Sequence, residues 1–143
     1  MISSLLPVVA RAHRNLAAAL LREFSLAPGQ ELVLMMLWVH EPLVQADITR
    51  DLAVEPPTVA KMLSRMENAG LISRERSTED RRNVLVSLTD AGRALETPVR
   101  TIWEELEFRT ARELSPAQQQ ELLLLLGQVL QGIGTPPPSQ AAW

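Results

Sequence analysis

The chain contains no cysteine, which excludes disulfides, thiol redox sensing and cysteine-ligated zinc. Its two histidines, His13 and His40, are too few for a dedicated zinc site, so no metal is expected. No stretch approaches the roughly 18 consecutive apolar residues of a membrane span. The opening MISSLLPVVARAHR has no cationic segment ahead of its short apolar one, so a signal peptide is not expected either. The compartment that fits is cytoplasmic. Tyrosine is absent and aromatic residues make up 3% of the chain, which leaves few partners for stacking. Net charge is −3, so the molecule is not a generally basic glue for nucleic acid. No Ser/His/Asp set, phosphate loop or metal-ligand spacing occurs, and the carboxylates are dispersed over helix surfaces. An enzyme is therefore not expected, and no cofactor is implied.

What is present is one domain's worth of chain, 143 residues with 46% apolar content, and an uneven charge distribution. Residues 58–82 hold six basic and four acidic side chains, a local excess of two positive charges, while the remainder holds eight basic and thirteen acidic. A focused cationic patch on an acidic body still steers a polyanion.

Helical spacing of Leu5, Val9, Leu16 and Leu20 predicts a first helix over residues 3–24. A second begins near Pro28 and runs through ELVLMMLWVH to Glu41-Pro42; it is apolar on nearly every face, as a central buried helix should be. A short third helix covers Gln45–Leu52. The fourth starts at Pro56 or Pro57 and ends by Asn68, with Gly70 placed for a left-handed cap. Val59, Met62, Leu63 and Met66 share its core face, and Thr58, Lys61 and Arg65 the opposite one. Strands are predicted at Leu71–Arg76 and Val84–Leu88, joined by STEDRRN. Thr89 then caps a long helix that Pro98 should kink or break, and Ser115–Gln118 fits a capping box ahead of a last helix containing Leu122–Leu126. A small core cannot cover helix 1 and residues 119–130 at once, so burial against a second copy is expected.

A cationic helix followed directly by a cationic hairpin suits a DNA duplex, whose major groove admits a helix while a thin arm reaches the adjacent minor groove. The order of elements, with LxxxxNxGLIxRxxxxEDRRxxxVxLTxxG from Leu63 to Gly92 and DITRDLAVEPPTVAKMLSRME just before it, resembles the MarR family of winged-helix transcription regulators. The resemblance runs from the first helix to about Gly132. It implies a mainly α fold with a small β-hairpin wing, one domain over 1–135, a winged helix-turn-helix at about 28–92, and dimerisation helices at about 3–24 and 98–132. Residues 136–143 are expected to be a disordered tail.

The resemblance further implies a homodimer bound to double-stranded DNA at an inverted repeat, with the fourth helix in the major groove. Arg82 would be the minor-groove Arg and Asp80 the carboxylate that orients it. Candidate DNA contacts are Thr58, Lys61, Arg65, Arg74, Arg81 and Arg82; Arg74 and Arg76 are expected to clamp phosphates or to pair with Glu75 and Asp47. The implied function is repression relieved by a small aromatic or phenolic effector, with His13, Trp38, His40 and Trp103 as candidate effector contacts. The alternative is a winged-helix module for protein contacts that has no operator of its own. Val44 and Ala27 stand where family members often carry a Thr cap, a difference worth about 1 kcal/mol of helix stability each.

Overall fold

The computed structural model of the protein describes residues 1–135; the tail expected to be disordered, 136–143, lies outside the described residues. Helix α1 spans Ile2–Leu21 and ends in a short 3-10 turn, Arg22–Phe24; α2 is Gln30–Val39, α3 Gln45–Leu52 and α4 Pro56–Asn68. Strands β2 (Ile72–Arg76) and β3 (Val84–Leu88) form the hairpin, followed by α5 (Asp90–Ala94), α6 (Glu96–Ala111) and α7 (Pro116–Gly132).

A two-residue strand, β1 (Leu43–Val44), pairs with β3 on the side opposite β2, so the antiparallel sheet has the order β1-β3-β2. Two residues carry no alternation, which is why β1 was not expected. Helix α2 starts at Gln30 rather than Pro28. Gly29, at φ 101°, is its N-cap residue, and Ala27 lies in the turn ahead of it, where its N–H donates to Gln30 Oε1 at 3.0 Å. Glu31 takes the capping role from inside the helix: its Oε2 accepts the Gly29 N–H at 2.8 Å. Burial pushes the Glu31 carboxyl up, against the smaller opposing pull of the backbone N–H groups of Glu31 and Gly29. Val44 does stand at the α3 N-cap without a side-chain hydrogen bond, as expected.

The core is built where the apolar faces meet. Leu34 and Leu37 of α2, Ile48 of α3, Val59, Leu63 and Met66 of α4, Ile72 and Val86 of the sheet and Val99 of α6 are all buried. Met62, expected with them, is only partly buried at the margin of this cluster. Helix α4 stops in a Schellman-type turn: the Leu71 N–H reaches back to the Met66 carbonyl at 3.0 Å, and Gly70 takes the left-handed φ of 74°.

The helix after β3 is interrupted at Leu95, three residues before Pro98, so the expected break is present. Pro98 has no N–H to bond the Ala94 carbonyl, and its ring crowds that carbonyl, which places the break at Leu95; the packing of α5 acts at the same point. Thr89 Oγ1 accepts the Gly92 N–H at 3.1 Å and donates to the Gly70 carbonyl at 2.5 Å. Gly92 thereby sits directly against β2, where a Cβ would meet the Leu71 carbonyl oxygen at 2.1 Å. The Gly92 carbonyl also accepts the Trp38 indole N–H at 3.1 Å. One glycine thus lets hairpin, α2 and α5 converge. At the other end, the Ser115/Gln118 capping box forms as expected, and Gln119 Nε2 donates to the carbonyls of Ala111 and Leu114, closing the α6–α7 turn.

Gly92→Ala must push α5 off the hairpin. Chemical denaturation should show a loss of about 3 kcal/mol, the upper end for overpacking; a loss below about 0.5 kcal/mol would mean that the contact yields freely.

Candidate nucleic-acid interface

Helix α4 exposes the cationic face opposite its core face. Thr58, Lys61 and Arg65 are all exposed, while Val59, Leu63 and Met66 beneath them are 0% exposed. The first turn begins with Pro56 and Pro57, residues whose fixed φ suits a helix start and whose missing N–H groups would have had no partner there. Neither Lys61 nor Arg65 has an acidic partner among the described residues.

The wing beside it is ordered by its own hydrogen bonds. Ser77 donates its N–H to the Asn83 carbonyl at 2.9 Å and Asn83 donates to the Asp80 carbonyl at 2.9 Å, closing the loop. Ser77 Oγ accepts the N–H groups of Glu79 and Asp80, and Arg76 Nη1 donates to the Arg81 carbonyl at 2.9 Å. At the tip, Arg82 donates Nε to Asp80 Oδ1 at 3.0 Å and Nη2 to Oδ2 at 2.9 Å, and its backbone N–H also reaches Oδ1 at 3.1 Å.

The Arg82 side chain is nonetheless 90% exposed, and its Nη1 has no partner among the described residues. The Arg82 side chain, and then its backbone N–H, hold the Asp80 carboxyl below the usual carboxylate range. An ion pair this exposed adds little stability. What it does is restrict the rotamers of a long side chain, so that less freedom is lost when a ligand is met.

Arg74 differs from the others. It donates Nε to Glu67 at 2.7 Å and is only 22% exposed, tying β2 to the end of α4. For Arg74 the expected partners Glu75 and Asp47 are therefore replaced by Glu67, and Asp47 pairs with Arg50 instead. Arg81 is exposed at the tip, next to Arg82.

Between α3, the start of α4 and the wing root lies a cleft of about 450 Å³, with Gln45, Thr49, Arg50, Pro56, Arg82 and Asn83 among its walls. Gln45 Oε1 is buried there without a partner among the described residues. Sequence reasoning passed over Arg50, Gln45 and Thr49. The i, i+4 spacing of Gln45 and Thr49 was legible, but only the sheet pairing of β1 brings α3 beside the wing.

The candidate effector residues lie on α1, on α2 and its C-cap, and on α6. His13 on α1 and His40 at the end of α2 are exposed, and Trp38 and Trp103 are partly buried against the core. Trp38 is occupied by its bond to Gly92 and by the Arg100 guanidinium, 5.9 Å from the ring centre. None of the four lines the wing cleft or the shallow cleft of about 290 Å³ on α1 near Arg11. Among the described residues no group of His, Asp and Glu is arranged to hold a metal, and no helix is long and apolar enough to cross a membrane.

Residues 26–84 match the model of the MarR family. A stretch of 118 residues is 32% identical to the HTH-type transcriptional regulator MgrA of Staphylococcus aureus, covering 82% of this chain and 79% of that one. A shorter stretch of 76 residues is 43% identical to the organic hydroperoxide resistance transcriptional regulator of Bacillus subtilis, about half of each chain (53% and 52%). The fold superposes with a TM-score of 0.86 on MepR of S. aureus, solved with DNA, at 26% identity over 92% of this chain and 98% of that one. By sequence, by fold and by the helix-plus-wing geometry, the chain belongs to the MarR family of winged-helix transcription regulators.

Proposed function

We propose that the protein binds an inverted-repeat operator as a homodimer and represses transcription until a small effector releases it. The observation that carries the DNA part is the pairing of an unneutralised cationic helix face with an Arg pre-ordered on the adjacent wing. The likeness to MepR, solved in complex with DNA, supports placing α4 in the major groove and Arg82 in the minor groove. Thr58, Lys61 and Arg65 would then face bases and phosphates, Arg81 a phosphate, and Asp80 would keep Arg82 aimed. Arg74, engaged with Glu67, would act through the placement of the hairpin. A protein-contact module without an operator has no such use for a pre-ordered wing Arg.

The homodimer is supported by what the single chain leaves uncovered. Val8 and Val9 of α1 are 61% and 54% exposed, Leu123 and Leu124 of α7 are 64% and 71% exposed, and no residue of α7 is buried. Apolar faces at both chain ends are best covered by a two-fold partner. We assign residues 3–24 and 98–132 to that role and 28–92 to the winged helix-turn-helix. A small aromatic or phenolic effector would dock where the winged part meets these helices, near the partly exposed Trp38 and Trp103, with His13 and His40 as further candidates. It relieves repression only if it favours the conformer with the wrong spacing of α4 helices. We place the protein in the cytoplasm, with the DNA it reads.

Selection from a random DNA pool should return an inverted repeat with half-site centres about 10 base pairs apart, one duplex turn. Arg82→Ala should weaken binding most at A·T-rich flanks, whose narrow minor groove concentrates negative potential. A pool that returns no enriched sequence would remove the operator. Sedimentation at micromolar concentration should report about twice 15.9 kDa, and deletion of residues 1–20 should cause aggregation or unfolding. A well-behaved monomer of the intact chain would overturn the two-fold geometry.

A further inference from the structure

The carboxylate of Glu41 joins three segments that are distant in sequence. β1 pairs with β3 only through Leu43↔Val86 and Val44↔Leu85, and Pro42 has no N–H to continue the ladder toward Leu88. Glu41 Oε1 accepts the Leu88 N–H at 2.9 Å, so a side chain takes over where backbone pairing stops. Arg93 of α5 clasps the same carboxylate from the other side, Nη2 to Oε1 at 2.9 Å and Nη1 to Oε2. The Glu41 side chain is 21% exposed and its carboxyl is held below the usual range, chiefly by the Arg93 hydrogen bonds.

The place of this bridge matters more than its strength. β3 starts at Val84, two residues from the wing-tip Arg82, and ends at Leu88. Its five residues make a lever roughly 17 Å long, so a small rotation at the root displaces the tip. On the far side, α5 leads at once into α6, which packs against α1 and α2. A forked, two-bond contact fixes direction as well as distance, which a lysine ammonium cannot do.

We propose that Glu41 and Arg93 are positioning residues for DNA binding: they lock the root of the wing to the helices that carry the dimer faces. This rests on the DNA-binding reading above.

The absence of cysteine allows the geometry to be measured without DNA. Spin labels at Thr78→Cys on the wing and Glu107→Cys on α6, in chains diluted with unlabelled protein, report the wing-to-helix distance by pulsed electron resonance. Two variants are compared with the parent. Glu41→Gln keeps an acceptor for Leu88 but loses the ion pair, and Arg93→Lys keeps the charge but loses the fork. Both should keep the parent's denaturation midpoint within error, broaden the distance distribution, and weaken binding to the parent's selected DNA by about fivefold or more. The double variant should bind no worse than the weaker single one, because both changes break the same bridge.

Folded variants with the parent's affinity overturn the proposal, whether or not the distance distribution broadens. If the parent itself selects no DNA, the DNA-binding reading falls and the proposal with it. If the parent binds and the variants match it, only the positioning claim fails.

Discussion

Val59, Leu63 and Met66 are each fully buried, and what the opposite face of α4 presents depends on that anchoring. A side chain of this kind contributes about 1.5–3 kcal/mol on burial, whereas exposed ion pairs contribute little. Apolar packing therefore sets where α4 lies and how it is rotated, and the charges ride on that setting. Gly92 completes it from below, because only a residue without a Cβ lets α5 close against the Leu71 carbonyl and brings Trp38 of α2 into the same junction.

On this frame the cations of α6 differ from those of the α4 face and the wing tip. Those of α6 are neutralised within their own helix, Arg100 by Glu96 and Arg109 by Glu105 at i, i+4 spacing. Those of the α4 face and the wing tip are left exposed. Lys61, Arg65 and Arg81 have no acidic partner among the described residues, and Arg82 is braced by Asp80 yet 90% exposed. An overall charge of −3 is thus compatible with a cationic edge, since the field near a surface follows the nearest charges. The wing differs from an ordinary polar turn in being closed by its own backbone and by Ser77, so its Arg projects from a fixed base.

Much of this was legible in the sequence. The spacing of Val59, Leu63 and Met66 against Thr58, Lys61 and Arg65 gave both faces of α4, and Asp80-Arg81-Arg82 between two alternating stretches marked the wing. The Ser115–Gln118 box and the stop at Gly70 followed from cap chemistry. What escaped depended on tertiary packing. A two-residue β1 carries no periodicity, so the approach of α3 to the wing was hidden. Arg74 pairs with Glu67 across a turn that returns β2 along α4, a contact seven residues apart with no helical spacing to announce it. The sequence spacing of His13, Trp38, His40 and Trp103 gives no indication of a shared cavity.

The claim that the α4 face and the wing together form a DNA-binding surface is tested most directly by the salt dependence of binding. Each phosphate contact releases condensed counterions, and replacing Lys61, Arg65 and Arg82 by alanine removes three cations from each chain. If Lys61 and Arg65 meet phosphate in both copies of the proposed homodimer, the slope of log K against log salt should become shallower by about 3.6, at roughly 0.9 for each of four contacts, and the minor-groove Arg82 adds to that. A base-edge contact by Lys61 or Arg65 would give a smaller slope change with loss of sequence preference. A folded triple variant with the parent's affinity and slope would contradict the account.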